Sequence, residues 1–247
     1  MSTLLFLHGV GGGHAAWGRQ VPYFAALGYH AHAWDQPGYG GTALVDPYDL
    51  EHVCGALRRL IESLGGEPAV LVGHSMGGFV AQEAYARFPQ LIKALVLGFT
   101  SPSFGGGSRE FVDKFIAARI GPLDEGRSMA EVAARLMPTM RGTKSQPEGV
   151  AHAERVMAAI PPATYRKAVQ LLTTFDRRAQ LSAIAVPALL VAGSEDRVAP
   201  ANVMQRMAQK IPGAEFVLLE GCGHLGPMDQ PEPFNEALRG FLERRKL

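Results

Sequence analysis

The residues best suited to chemistry in this chain gather around Ser75. Leu71-Val72-Gly73-His74-Ser75-Met76-Gly77-Gly78-Phe79-Val80 reads G-x-S-x-G, with an apolar strand-like run before it and a helix-like pattern after it. A sharp strand-to-helix turn of this kind lifts a serine hydroxyl above a sheet in a strained backbone conformation. Gly73 and Gly77 keep side chains out of that turn. The helix start offers free N–H groups and the positive end of a dipole to a developing oxyanion. Taken alone, Ser75 is also an ordinary helix N-cap, where serine is favoured. The strand before it and the helix after it favour the nucleophile.

A serine hydroxyl is a weak nucleophile until a base takes its proton, and a third group must hold that base in one tautomer. Two later segments offer these parts in the order serine, acid, histidine. Val191-Ala192-Gly193-Ser194-Glu195-Asp196-Arg197 follows an apolar run and carries two adjacent carboxylates. Glu220-Gly221-Cys222-Gly223-His224-Leu225 places a histidine in a glycine-rich loop after the last run. His224 is the expected general base. Asp196 is the expected orienting acid, with Glu195 a rival that adjacency leaves open. Singly, Asp196 fits a solvated turn paired with Arg197, and His224 fits a structural loop; all three features together argue for a triad. His30 and His32 share a strand face, but no third ligand accompanies them, so no metal site is expected.

Charge on a substrate oxygen needs fixed donors. One expected donor is the backbone N–H of Met76, directly after the nucleophile. The other is expected from His8-Gly9-Val10-Gly11-Gly12-Gly13, specifically the N–H of Val10. A competing reading takes Gly11-Gly12-Gly13-His14-Ala15-Ala16, with Asp35 closing the next strand, as a dinucleotide fingerprint. That pattern is short and leaves Ser75, Asp196 and His224 without a role, so no cofactor is expected.

The elements that must position these residues alternate in type. Apolar runs at Thr3–Leu7, His30–Trp34, Ala69–Val72, Ala94–Leu97, Ala188–Val191 and Glu215–Leu219 suit strands buried on both faces of a parallel sheet. Helical patterns lie between them, clearest at Leu50–Leu64 and Gly78–Phe88. From about Ser101 to Gln180 the strands stop. Amphipathic helices are predicted there at Arg109–Ile120, Met129–Leu136, Glu148–Ile160 and Tyr165–Phe175, punctuated by Gly105-Gly106-Gly107 and Pro161-Pro162. This gives an α/β core domain over 1–100 and 181–247, with a helical lid over 101–180.

The 247-residue chain is 47% hydrophobic and 19% charged, ordinary for a globular enzyme. Its 24 basic and 23 acidic residues leave a net charge of +1 and no basic stripe. Nucleic acid is therefore not an expected partner. Two cysteines, Cys54 and Cys222, make no disulfide framework. No apolar run approaches the ~20 residues that span a bilayer, and the start lacks the features of a signal peptide. A cytoplasmic protein acting on a small molecule, away from membranes, is expected; its oligomeric state is not legible.

Several segments resemble the α/β-hydrolase superfamily: His8-Gly9-Val10-Gly11-Gly12, Trp17, Asp35-Gln36-Pro37-Gly38-Tyr39-Gly40, Gly73-His74-Ser75-Met76-Gly77-Gly78, Gly193-Ser194-Glu195-Asp196 and Gly223-His224. The chain looks most like its lidded enol-lactonases, carboxylesterases and carbon–carbon bond hydrolases. The resemblance implies an α/β-hydrolase fold, here with the sheet shortened at its N-terminal edge because the His-Gly loop begins at residue 8. It favours Asp196 over Glu195. Serine at the nucleophile position sets the chain apart from the dehalogenases and epoxide hydrolases of that fold, and Leu225 after the histidine from hydroxynitrile lyases. The expected activity is that of a serine hydrolase cleaving a small carboxylic ester or lactone through an acyl-enzyme. The alternatives are cleavage of a carbon–carbon bond in a vinylogous diketone and non-catalytic ligand binding on the same fold. The lid is expected to cover an apolar pocket with Trp17, Phe99 and Leu225 below it, and Arg119, Arg141 or Arg166 could hold a substrate carboxylate.

Overall fold

The computed structural model describes residues 2–105 and 109–247. The expected glycine break at Gly106-Gly107 lies outside them. Six strands form one parallel sheet: β1 (Thr3–Leu7), β2 (His30–Trp34), β3 (Ala69–His74), β4 (Ile92–Gly98), β5 (Ala188–Gly193) and β6 (Glu215–Leu219). Their spatial order is β2-β1-β3-β4-β5-β6. β3 and β5 are buried throughout, as are nearly all of β1 and β4. The edge strands differ from expectation. β2 and β6 are partly exposed, because each has a neighbour on one side only.

The direction of the chain across the sheet decides where helices lie. α1 (Gln20–Ala26) connects β1 to β2 in one direction. α2 (Leu50–Ser63) and α3 (Met76–Arg87) lead onward in the other, to β3 and β4. Right-handed crossovers therefore put α1 on one face and α2 and α3 on the other. α2 packs on α3, and the last helix, α10 (Pro231–Arg245), packs on α1. The order reverses between β1 and β3, so the loops leaving those two strands open into a crevice, the favoured ligand position of such sheets.

Between β4 and β5 the described residues form four α-helices, α4 (Arg109–Asp124), α5 (Met129–Met140), α6 (Pro147–Ala158) and α7 (Pro162–Leu172), followed by a 3₁₀ helix at Arg178–Ala183. α5 begins at a capping box in which the Ser128 side chain accepts from the Glu131 amide and Glu131 accepts from the Ser128 amide. α8 (Ala201–Lys210) follows β5, and the short α9 (Gly226–Asp229) precedes α10. Among the described residues no helix is long and apolar enough to cross a membrane.

Candidate active site

Ser75 alone makes the turn between β3 and α3, at φ 54° and ψ −116°. A non-glycine residue held there costs on the order of 1–3 kcal/mol, which surrounding bonds must offset. The Ser75 N–H donates to the Gly98 carbonyl at 3.0 Å. The Ser75 carbonyl accepts from the Gly78 N–H at 2.9 Å and from the Thr100 hydroxyl at 2.8 Å. A Cβ on Gly73 would lie 2.4 Å from the Gly77 carbonyl oxygen, and one on Gly77 would lie 2.0 Å from that of Leu7. No side chain fits at either position.

His224 sits in the loop after β6 with its ring between Ser75 and Asp196. Nδ1–H donates to Asp196 Oδ2 at 2.8 Å, and Nε2 accepts from the Ser75 hydroxyl at 3.0 Å. This tautomer follows from an ionised Asp196, which can only accept. The other carboxylate oxygen of Asp196 accepts from the amides of Val198 at 2.7 Å and Ala199 at 2.9 Å. Burial alone would raise the Asp196 carboxyl; His224 and the two amides outweigh it and hold the group below its ordinary value. Glu195 faces elsewhere. Its carboxylate accepts from the Thr143 amide at 2.9 Å and the Thr143 hydroxyl at 2.6 Å.

Four supporting residues lie in segments that carry the family resemblance, but their roles are not legible in the sequence pattern. His74 donates from Nε2 to the His224 carbonyl at 2.7 Å, fixing the backbone that carries the base. His8 accepts from the Gln36 amide through Nε2 at 3.1 Å and donates from Nδ1 to the Gly9 carbonyl at 2.8 Å. The Gln36 side chain donates to the His8 carbonyl at 2.7 Å. Asp35, the acid of the dinucleotide reading, accepts from the His14 amide at 2.7 Å and so pins the far end of the glycine loop. The signals for Asp35, Gln36 and His8 are their position at strand ends and in the segments shared with the family; nothing in the pattern singles out their partners.

Met76 is the first residue of α3, so its amide is among those without an intrahelical acceptor. Val10 lines the cavity beside Ser75, with its carbonyl turned away to accept from the Tyr39 hydroxyl at 2.9 Å. The cavity holds about 270 Å³. Its floor includes Ser75, His224, Phe99 and Leu225, and its roof comes from α4 to α7, including Phe115, Met137, Met157 and Leu172. Trp17 is a correction. It is buried beneath the site, with its ring 5.0 Å from Phe6 and 6.1 Å from Phe234, and does not line the cavity. The 3₁₀ turn His14–Trp17 folds that ring into the core, where its apolar area is best used. Of the three arginines, Arg119 lines the cavity, Arg166 is paired with Asp124 at 2.5 Å, and Arg141 is exposed outside it.

Residues 4–237 match the model of the alpha/beta hydrolase family. The chain is 30% identical to the "Putative carbamate hydrolase RutD" of Pseudomonas syringae pv. syringae, over 97% of this chain and 93% of that protein. It is also 30% identical to the 2-hydroxy-6-oxononadienedioate/2-hydroxy-6-oxononatrienedioate hydrolase of Paraburkholderia phymatum, over 97% and 86%. Among solved structures, a thermophilic esterase from Thermogutta terrifontis superposes with a TM-score of 0.89 at 24% identity, over 99% of this chain and 90% of that one.

Proposed function

The chain belongs to the alpha/beta hydrolase family, and on that premise we propose that it is a serine hydrolase that cleaves small carboxylic esters or lactones through an acyl-enzyme. The single observation that carries this reading is the unbroken line from Ser75 Oγ through the His224 ring to the Asp196 carboxylate. His224 Nε2 takes the proton of Ser75 as Oγ attacks the substrate carbonyl carbon. The oxyanion so formed is held by the amides of Val10 and Met76. Collapse expels the leaving oxygen, which His224 protonates. Water, deprotonated by His224, then attacks the acyl-serine and releases the acid. Asp196 stays ionised throughout and stabilises the imidazolium. The helices over 101–180 act as a lid that walls the reaction from bulk water.

A fluorophosphonate probe is expected to label Ser75, located by mass spectrometry of the adduct. Ser75→Ala should lower kcat/KM on para-nitrophenyl butyrate by roughly 10⁴-fold or more. Asp196→Asn should lower kcat by about 10⁴-fold and Glu195→Gln by less than about tenfold. Full activity in Ser75→Ala would falsify the reading.

A second reading is hydrolysis of a carbon–carbon bond by the same triad. The 30% identity to a 2-hydroxy-6-oxononadienedioate hydrolase favours it. Turnover of an aromatic ring-cleavage product with little ester turnover would select it. A carbamate belongs in the same panel, given the other relative at 30%.

A further inference from the structure

The wall of the cavity above Ser75 carries two formal charges, both positive, and no carboxylate. Arg119 of α4 and Arg197 beside Asp196 line it; the other lining residues are glycines, apolar side chains, hydroxyls and the imidazoles of His74 and His224. Among roof cations that do not line the cavity, Arg166 of α7 is matched by Asp124 and Arg127, just before α5, by Glu131. No carboxylate among the described residues lies within salt-bridge distance of Arg119 or Arg197.

The two arginines are not equivalent. Arg119 is half-buried, with its guanidinium carbon 5.0 Å from the centre of the Phe115 ring and beside the buried Tyr165 hydroxyl. Phe115 beneath the guanidinium and Tyr165 beside it restrain the planar fork at the cavity wall, where its five N–H donors exceed what one phenol can take and suit a planar anion. Withdrawing a cation from water without a counter-charge is costly. An anionic group arriving with the substrate supplies that charge where water is scarce, which makes the pair stronger than one at the surface. Arg197 is exposed at the rim, and its field also acts on Glu195. Its charge there is screened and serves steering more than affinity.

We propose that Arg119 forms an anion subsite in the roof, and that the substrates are esters or lactones bearing a free carboxylate remote from the scissile carbonyl, such as half-esters of dicarboxylic acids. This rests on the serine-hydrolase reading, so the test separates the two. Mono-para-nitrophenyl adipate is compared with para-nitrophenyl hexanoate, which carries a methyl group in place of the terminal carboxylate, and the pair is repeated at the suberate and octanoate length. The wild type is expected to favour the charged ester in kcat/KM. Arg119→Gln should lower the charged-to-neutral ratio roughly 10- to 100-fold, chiefly through KM. Arg119→Lys should recover part of it, since it restores charge without the fork. Arg197→Gln should move the ratio less than about threefold.

Adipate and hexanoate are also titrated into Ser75→Ala by calorimetry, which needs no turnover. Preferential adipate binding that Arg119→Gln abolishes is the expected result. A ratio and an adipate affinity unmoved by Arg119→Gln, or a wild type that prefers the neutral ester at both lengths, overturn the subsite. Adipate binding that depends on Arg119, with no turnover of any ester by the wild type, overturns the hydrolase reading and leaves the subsite standing.

Discussion

Of the two imidazoles packed around the proposed base and oxyanion loop, His8 accepts from the Gln36 amide only while Nε2 is unprotonated, whereas His74 donates in either state and is kept neutral by its burial. Burial lowers His8 to about 4, and burial with His224 nearby lowers His74 to about 3. In the unfolded chain each takes a proton near the ordinary histidine value of about 6.5. Between the folded and unfolded values the unfolded chain binds more protons, so stability rises with pH across that window. The contribution is complete above about pH 6.5 and is lost progressively as pH falls toward about 4 for His8 and about 3 for His74. Going from pH 7 to pH 5, each histidine should cost about 2 kcal/mol of folding stability. Urea unfolding at the two pH values measures this. His74→Gln should remove about half of the loss; a midpoint that does not move with pH contradicts the account.

At the scale of the element, the first turn of α3 meets the end of β1. Alanine at Gly77 would put a carbon 2.0 Å from the Leu7 carbonyl oxygen, in backbone that has nowhere to go. Gly77→Ala should therefore cost about 3 kcal/mol. Gly121, inside α4, has nothing within 4 Å of the place a methyl group would occupy, and Gly121→Ala should stabilise by about 0.5–1 kcal/mol. Opposite signs in chemical unfolding are the expected result; equal effects would mean that α3 can shift on the sheet. Element positions are largely legible in the sequence because apolar runs report burial. Thr3–Leu7, His30–Trp34 and Glu215–Leu219 form as read. Helix starts are less so. α3 begins at Met76 and not Gly78, since the elbow sets its first turn and not its apolar periodicity. α7 begins at Pro162, in a proline pair that reads as a break; proline loses no hydrogen bond in a first turn.

Across the whole molecule, the roof is tied to the loops that carry His224 and Asp196. The His224 amide donates to the Met140 carbonyl at 2.7 Å, and the Lys144 amide to the Gly221 carbonyl at 2.9 Å. The Gln146 amide donates to the Asp229 carbonyl at 3.0 Å, and Thr143 meets Glu195. Such a roof is anchored at the α5–α6 end, so any opening should take place at α4. Amide hydrogen exchange is expected to show Thr143, Lys144, Gln146 and His224 protected well beyond the exposed amides of α4. Equal, rapid exchange across both would mean that the roof lifts as one piece.

The chain's own residues determined the chemistry on offer and the local geometry that presents it. A serine between glycines, a strand before it and a helix after it act within a few positions, and local sterics suffice to shape them. Only the tertiary structure decided which of two adjacent carboxylates meets His224, that Trp17 belongs to the core, and which of three arginines faces the cavity. Each of those outcomes turns on the direction of a side chain, and that direction is set by contacts with segments far away in the chain, as between Thr143 and Glu195 or between Ser75 and His224.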